Sequence, residues 1–76
     1  MKTVQILLGS INDVKDFVNT LNKYEFDVDL ISGRYAIDAK SIMGIFSLDL
    51  SKPVTLQAHT DDVGAFFDDI DRFVVK

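Results

Sequence analysis

At 76 residues the chain is long enough for one small domain, in which folding buries only about 60% of the surface that the unfolded chain exposes. Its 47% apolar content suits a globular protein, and the absence of Cys excludes disulfide staples and a Cys-based metal site. A formal charge of −4 and a pI near 4.6 argue against nucleic-acid binding, which needs Lys and Arg to neutralise phosphates.

Residues 3–8 alternate, with Val4, Ile6 and Leu8 on one face and Thr3, Gln5 and Leu7 on the other, which predicts a half-buried first strand. Gly9 breaks the run. Ser10-Ile11-Asn12-Asp13 then has the form of a capping box, although Asn12 or Asp13 could cap equally well. In the helix that follows, Val14, Phe17, Val18 and Leu21 recur at i, i+3, i+4 and i+7 as one buried stripe. Phe26, Val28 and Leu30 alternate with Asp27, Asp29 and Ile31 as a second strand; Ser32-Gly33 forms a turn, and residues 34–38 return as the third strand of a hairpin.

Residues 40–50 are too apolar for a short surface element. Ser41 suits a helix N-cap, because its side-chain oxygen can accept from a backbone N–H two or three residues on. In a helix of about two turns, Ile45 and Leu48 fall on one side while Ile42, Met43 and Phe46 crowd another. One buried face cannot cover all five, so Ile42, Met43 and Phe46 are expected to be exposed and to bind a partner. After the connector Ser51-Lys52-Pro53, residues 54–59 alternate as strand four, with Val54, Leu56 and Ala58 inward. Thr60 or Asp61 can cap a last helix whose apolar stripe is Val63, Phe66, Phe67, Ile70, Phe73 and Val74, with Gly64 weakening it by about 1 kcal/mol. The order strand, helix, strand, strand, helix, strand, helix predicts an α+β domain over residues 1–76, its sheet antiparallel or mixed with helices on one face. No repeat, linker or low-complexity tract interrupts it. No apolar run approaches the roughly 18 residues of a spanning helix, and Ile6-Leu7-Leu8 is far shorter than the apolar core of a signal peptide, so a soluble protein with a cytoplasmic address is the default.

The stretch Ala39-Lys40-Ser41-Ile42-Met43-Gly44-Ile45-Phe46-Ser47-Leu48 resembles the segment around the regulatory serine of HPr proteins, the small phosphocarriers of the bacterial sugar phosphotransferase system. Length, element order and the Phe17-Val18 pair also fit that family. The resemblance implies a two-layer sandwich, a four-stranded antiparallel sheet of order 1-4-2-3 with three helices on one face. In the family a phosphorylatable histidine sits in a Gly-Leu-His-x-Arg-Pro motif just before the first helix. Setting Phe17-Val18 in register puts Ser10 in the histidine's place, Asn12 in the arginine's and Asp13 in the proline's, so the carrier chemistry does not transfer. Asp49 departs from the family's Ser-Leu-Gly. The catabolite-repression HPr homologue of bacilli, which also lacks the histidine and acts through its phosphorylated serine, is similar to this pattern.

Ser41 is a helix cap by its chemistry and, by the resemblance, a site of regulatory phosphorylation. Ser10 is a cap that stands at a helix N-terminus able to hold an anion. A phosphoserine there would be a stable mark and not a relay, because phosphate monoesters are among the slowest groups to hydrolyse. His59, the single histidine, ends a strand far from any Gly-rich loop and reads as a surface residue. One histidine and no cysteine leave only carboxylates, and an oxygen-only metal site needs more convergent ligands than a surface helix normally aligns, so no metal site and no cofactor are expected. Asp61, Asp62, Asp68, Asp69 and Asp71 lie mainly off the apolar stripe and read as a solvated helix face, with docking of a basic partner as the alternative. A domain of this size has little room for a catalytic pocket. The expected function is that of a non-catalytic regulatory protein that docks partners through the helix after Ser41. The resemblance implies phosphotransferase-system enzymes, an HPr-type kinase or a transcriptional regulator as those partners, with no nucleic acid or membrane involved. Two alternatives stay open: a phosphocarrier with a non-standard acceptor, Ser10 or His59, and a structural module unrelated to phosphate.

Overall fold

The computed structural model describes residues 2–75; the expected domain bounds, 1 and 76, lie outside them. Strand β1 (Lys2–Ile6) leads to helix α1 (Ile11–Leu21), the hairpin β2 (Val28–Ser32) and β3 (Tyr35–Asp38), helix α2 (Ile42–Phe46), strand β4 (Val54–Ala58) and helix α3 (Gly64–Asp69). The strands form one antiparallel sheet in the order β1-β4-β2-β3. The α+β architecture is the one expected, with three helices against one face of the sheet.

The stripe of α1 is buried as its spacing requires, Val14, Phe17 and Leu21 being fully enclosed. They meet the inward residues of the two central strands, Val28 and Leu30 of β2 and Val54, Leu56 and Ala58 of β4. Each fully buried large side chain of this set contributes about 1.5–3 kcal/mol. The hairpin closes through a two-residue loop, Ser32 pairing with Tyr35. Gly33 takes φ +60 there, a backbone state that costs any residue with a Cβ.

Four elements differ from the periodic reading: β1 ends at Ile6, short of Leu8, α2 ends at Phe46 after little more than one turn, and β2 and the last helix have other bounds. Strand β2 starts at Val28, because Phe26 turns into an aromatic group with Tyr24 and Phe66, its ring centroid 5.2 Å from that of Phe66. The last helix is shorter than its stripe suggests: α3 ends at Asp69 and a 3-10 turn spans Asp71–Phe73. The N-cap of α3 is Val63, with no side-chain cap, while the Thr60 hydroxyl accepts from the Asp62 N–H at 3.2 Å. Beyond the turn the chain is extended. Leu7 N–H donates to the Phe73 carbonyl at 2.8 Å, Val74 bridges Ile6, and Val75 N–H donates to the Gln5 carbonyl at 2.9 Å. Residues 73–75 therefore lie as a strap along the outer edge of β1. Phe73 is pinned beneath, edge-on to Phe17 at 5.6 Å, and Arg72 lies over the Phe73 ring while its guanidinium bonds Asp16 at 2.9 Å.

Candidate functional site

Antiparallel β1 and β4 pair Ile6 with Val54 and Lys2 with Ala58, so the loop after β1 and the connection into β4 share one end of the sheet. Ser10 is extended there, at φ −153 and ψ 167, and its hydroxyl accepts from the Asp13 N–H at 3.1 Å. The Asp13 carboxylate in turn accepts from the Gly9 N–H at 3.2 Å. Asp13 thus places its negative charge in the first turn of α1, where the helix dipole favours it.

The first loop faces the end of α2. Leu8, Gly9, Ser10 and Ile11 from one side, with Phe46, Leu50 and Ser51 from the other, enclose a shallow cleft of about 340 Å³ with mostly apolar walls. Ile11 is 64% exposed and Phe46 41% exposed. Ile11, Leu50 and Ser51 were missed by sequence reasoning. Ile11 continues the α1 stripe one turn beyond the point where core remains to receive it, which was the available signal.

Ser41 caps α2, its hydroxyl accepting from the Gly44 N–H at 3.2 Å, and it is exposed. Gly44 sits close under it: a Cβ there would come within 3.3 Å of Ser41 Oγ and 3.4 Å of Ile37 Cδ1, so glycine lets α2 approach β3. Of the three residues expected in the exposed patch, Met43 is 75% exposed and Phe46 partly open, but Ile42 is half-buried and packs against the core. The correction follows from the wheel itself. Ile42 precedes Ile45 by three residues and lies only about 60° from it, whereas Met43 lies about 160° away. Leu48 is also half-buried, and it lies in the turn after α2 because the helix ends at Phe46.

His59 stands at the opposite end of the sheet, after Ala58, and cannot join Ser10. It is not merely solvated, since Nε2 lies 2.7 Å from Asp29 Oδ2 beside Asp27 and Asp38. Within the acidic set, Asp69 accepts from the Tyr24 hydroxyl, which holds that phenol above its ordinary pKa; Asp61, Asp62, Asp68 and Asp71 are exposed. Asp49, the departure from the family pattern, accepts from the Ser51 hydroxyl at 2.5 Å and from its N–H at 3.1 Å, which with Lys52 nearby keeps its carboxyl below the usual range.

The family model described as the PTS HPr component phosphorylation site matches residues 13–75 and leaves the loop around Ser10 outside the match. Among solved structures, HPr-C-His from Thermoanaerobacter tengcongensis is similar at 29% identity and a TM-score of 0.79, over 95% of this chain and 89% of that one. The phosphocarrier protein HPr from Bacillus anthracis is similar in fold, at 24% identity and a TM-score of 0.71, over 97% and 94% of the two chains. No curated protein matches this sequence. With the sheet order, the Ser41 cap and a family match across most of its length, the chain belongs to the HPr family of the phosphotransferase system.

Proposed function

We propose that this HPr-family protein acts by binding other proteins and not by catalysis. Its docking surface is the cleft between the first loop and α2, with Ile11 and Phe46 as apolar anchors, extended by exposed Met43 three residues before Phe46 on α2, while Ile42 packs on the core. The observation that carries the reading is the meeting of Ile11 and Phe46 across one cleft, which joins two separate stretches of sequence into a single apolar patch. The partners belong to the phosphotransferase system: its enzymes, an HPr-type serine kinase or a regulator that reads the modified protein.

Ser41 is the regulatory site of this proposal. It is exposed as the N-cap of α2, two residues before Met43 on the docking helix. Its Oγ attacks the γ-phosphorus of ATP in the kinase, the hydroxyl proton passes to the kinase base and ADP leaves. The ester adds about 1.5–2 negative charges beside an apolar contact surface, which favours partners bearing Arg and repels acidic ones. Intact mass after incubation with an HPr-type serine kinase and ATP tests this. One added phosphate, absent in Ser41→Ala, is expected; an unmodified protein, or phosphate persisting in Ser41→Ala, refutes it.

A second reading keeps the phosphocarrier role, with Ser10 as acceptor, because Ser10 lines the cleft at the N-terminus of α1. Against it, the hydroxyl is engaged by Asp13, whose carboxylate would repel a phosphate, and the ester would be too stable to pass its group on. Enzyme I with phosphoenolpyruvate is expected to leave no acid-labile phosphate on the protein; finding one, on His59 for instance, would favour the carrier.

A further inference from the structure

Lys40 stands directly before the α2 cap, and its side chain reaches away from that helix. Nζ donates to the backbone carbonyl of Tyr24 at 2.6 Å in a part-buried contact, while the Lys40 N–H donates to Asp38 Oδ1 at 2.9 Å and fixes the turn from which the side chain departs. Tyr24 lies between α1 and β2. Its ring centroid is 5.1 Å from Phe66 of α3 and 5.5 Å from Phe26, and its hydroxyl donates to Asp69 at the end of α3. One ammonium thus joins the start of α2 to the segment that holds α3.

We propose that Lys40 is a relay that senses negative charge at position 41 and transmits it, through the Tyr24 carbonyl, to the contact between Tyr24 and Asp69 on α3. The inference rests on the reading of Ser41 as a modified residue and adds where that modification is felt. The Lys40–Tyr24 bond is charge-assisted through the ammonium alone, whereas a phosphate on the adjacent residue brings about 1.5–2 negative charges of its own, so it outcompetes the uncharged carbonyl for the ammonium. The flexible four-carbon stem lets the ammonium change partner without moving the backbone. Tyr24 then loses the donor that ties residues 22–27 to α2. The Tyr24 hydroxyl is held to Asp69 from the same segment, so that contact loosens with it, at a face of α3 remote from the docking cleft.

Substitutions that carry the charge without any kinase test the relay. In Ser41→Asp the carbonyl carbon of Tyr24 is expected to move upfield in the NMR spectrum, as an acceptor does on losing its donor, and the Tyr24 phenol to titrate closer to its ordinary value. Ser41→Asn caps α2 as well but carries no charge, and it is expected to leave both signals in place. In a Lys40→Met background the Tyr24 carbonyl is already shifted and Ser41→Asp adds nothing. Lys40→Gln, neutral yet able to donate, replaces Lys40→Met if that variant does not fold. An unmoved Tyr24 carbonyl in Ser41→Asp, an equal shift in Ser41→Asn, or a shift that persists without the Lys40 charge would each overturn the relay. A protein that never accepts phosphate fails the mass assay while these variants still respond, so the two failures are distinct.

Discussion

Ile45 and Phe46 are neighbours on α2 with opposite assignments, and truncating each to Ala separates core from docking surface. Ile45 is fully enclosed, so Ile45→Ala removes buried methylenes and leaves a cavity at a cost of about 2–5 kcal/mol. Phe46 is 41% exposed. Full burial of such a side chain is worth about 1.5–3 kcal/mol, and scaling by the covered three-fifths gives about 1–2 kcal/mol for Phe46→Ala. For a domain of this length about 1 kcal/mol moves the melting temperature by about 4–8 °C, so circular-dichroism melts resolve the difference. Affinity should move the other way: Phe46→Ala weakens binding to enzyme I, or to whichever system component binds, by about 2 kcal/mol or more, roughly thirtyfold in Kd. Met43→Ala, at a residue 75% exposed, should change stability by no more than about 0.5 kcal/mol. If Phe46→Ala melts as early as Ile45→Ala while binding is unchanged, Phe46 belongs to the core and the cleft is not a docking surface.

Alkaline pH tests the Tyr24 contact. The bond to Asp69 raises the folded-state pKa of the phenol, so the stability it confers is fully present below the unfolded value of about 10 and is lost as pH rises through the folded value. Melts across that range should fall more steeply for the native protein than for Tyr24→Phe; parallel curves would show that the bond does not form. Gly33→Ala should cost about 1–2 kcal/mol through backbone strain alone, since no atom crowds that position, and an unchanged melt would mean that the turn adopts another conformation.

Most of the architecture is written in alternation and helical spacing. Val54, Leu56 and Ala58 declare β4, and Val14, Phe17, Val18 and Leu21 declare α1, because each element buries one continuous face. Ser10 and Ser41 were legible as caps because an N-cap depends on the few residues that follow it. The sheet order was not legible from periodicity; it came with the family resemblance around Ser41. Ile42 leaves the expected exposed patch because its spacing of three from Ile45 puts it on the inner side of the wheel, next to the one fully buried residue of α2. The cleft escaped the sequence reading because it joins residues 8–11 to residues 46–51, and no local pattern reports a meeting between segments so far apart. Asp69 looked like a solvated carboxylate for the same reason, its partner Tyr24 lying 45 residues away.

The strap formed by residues 73–75 decides how this sheet resists self-association. Unpaired strand edges are templates for cross-chain pairing, and β1, with its alternating Thr3, Val4, Gln5 and Ile6, would be a good one if bare. Pairing with residues 73–75 removes that template along residues 5–7, and the opposite edge is the four-residue β3, preceded by Arg34 and ending in Asp38. Because Phe73 of the strap packs on Phe17, the strap cannot peel away without disturbing the centre of α1. Protection against fibril growth is thereby tied to the main core, and conditions that loosen α1 would bare the aggregation-prone edge in the same event.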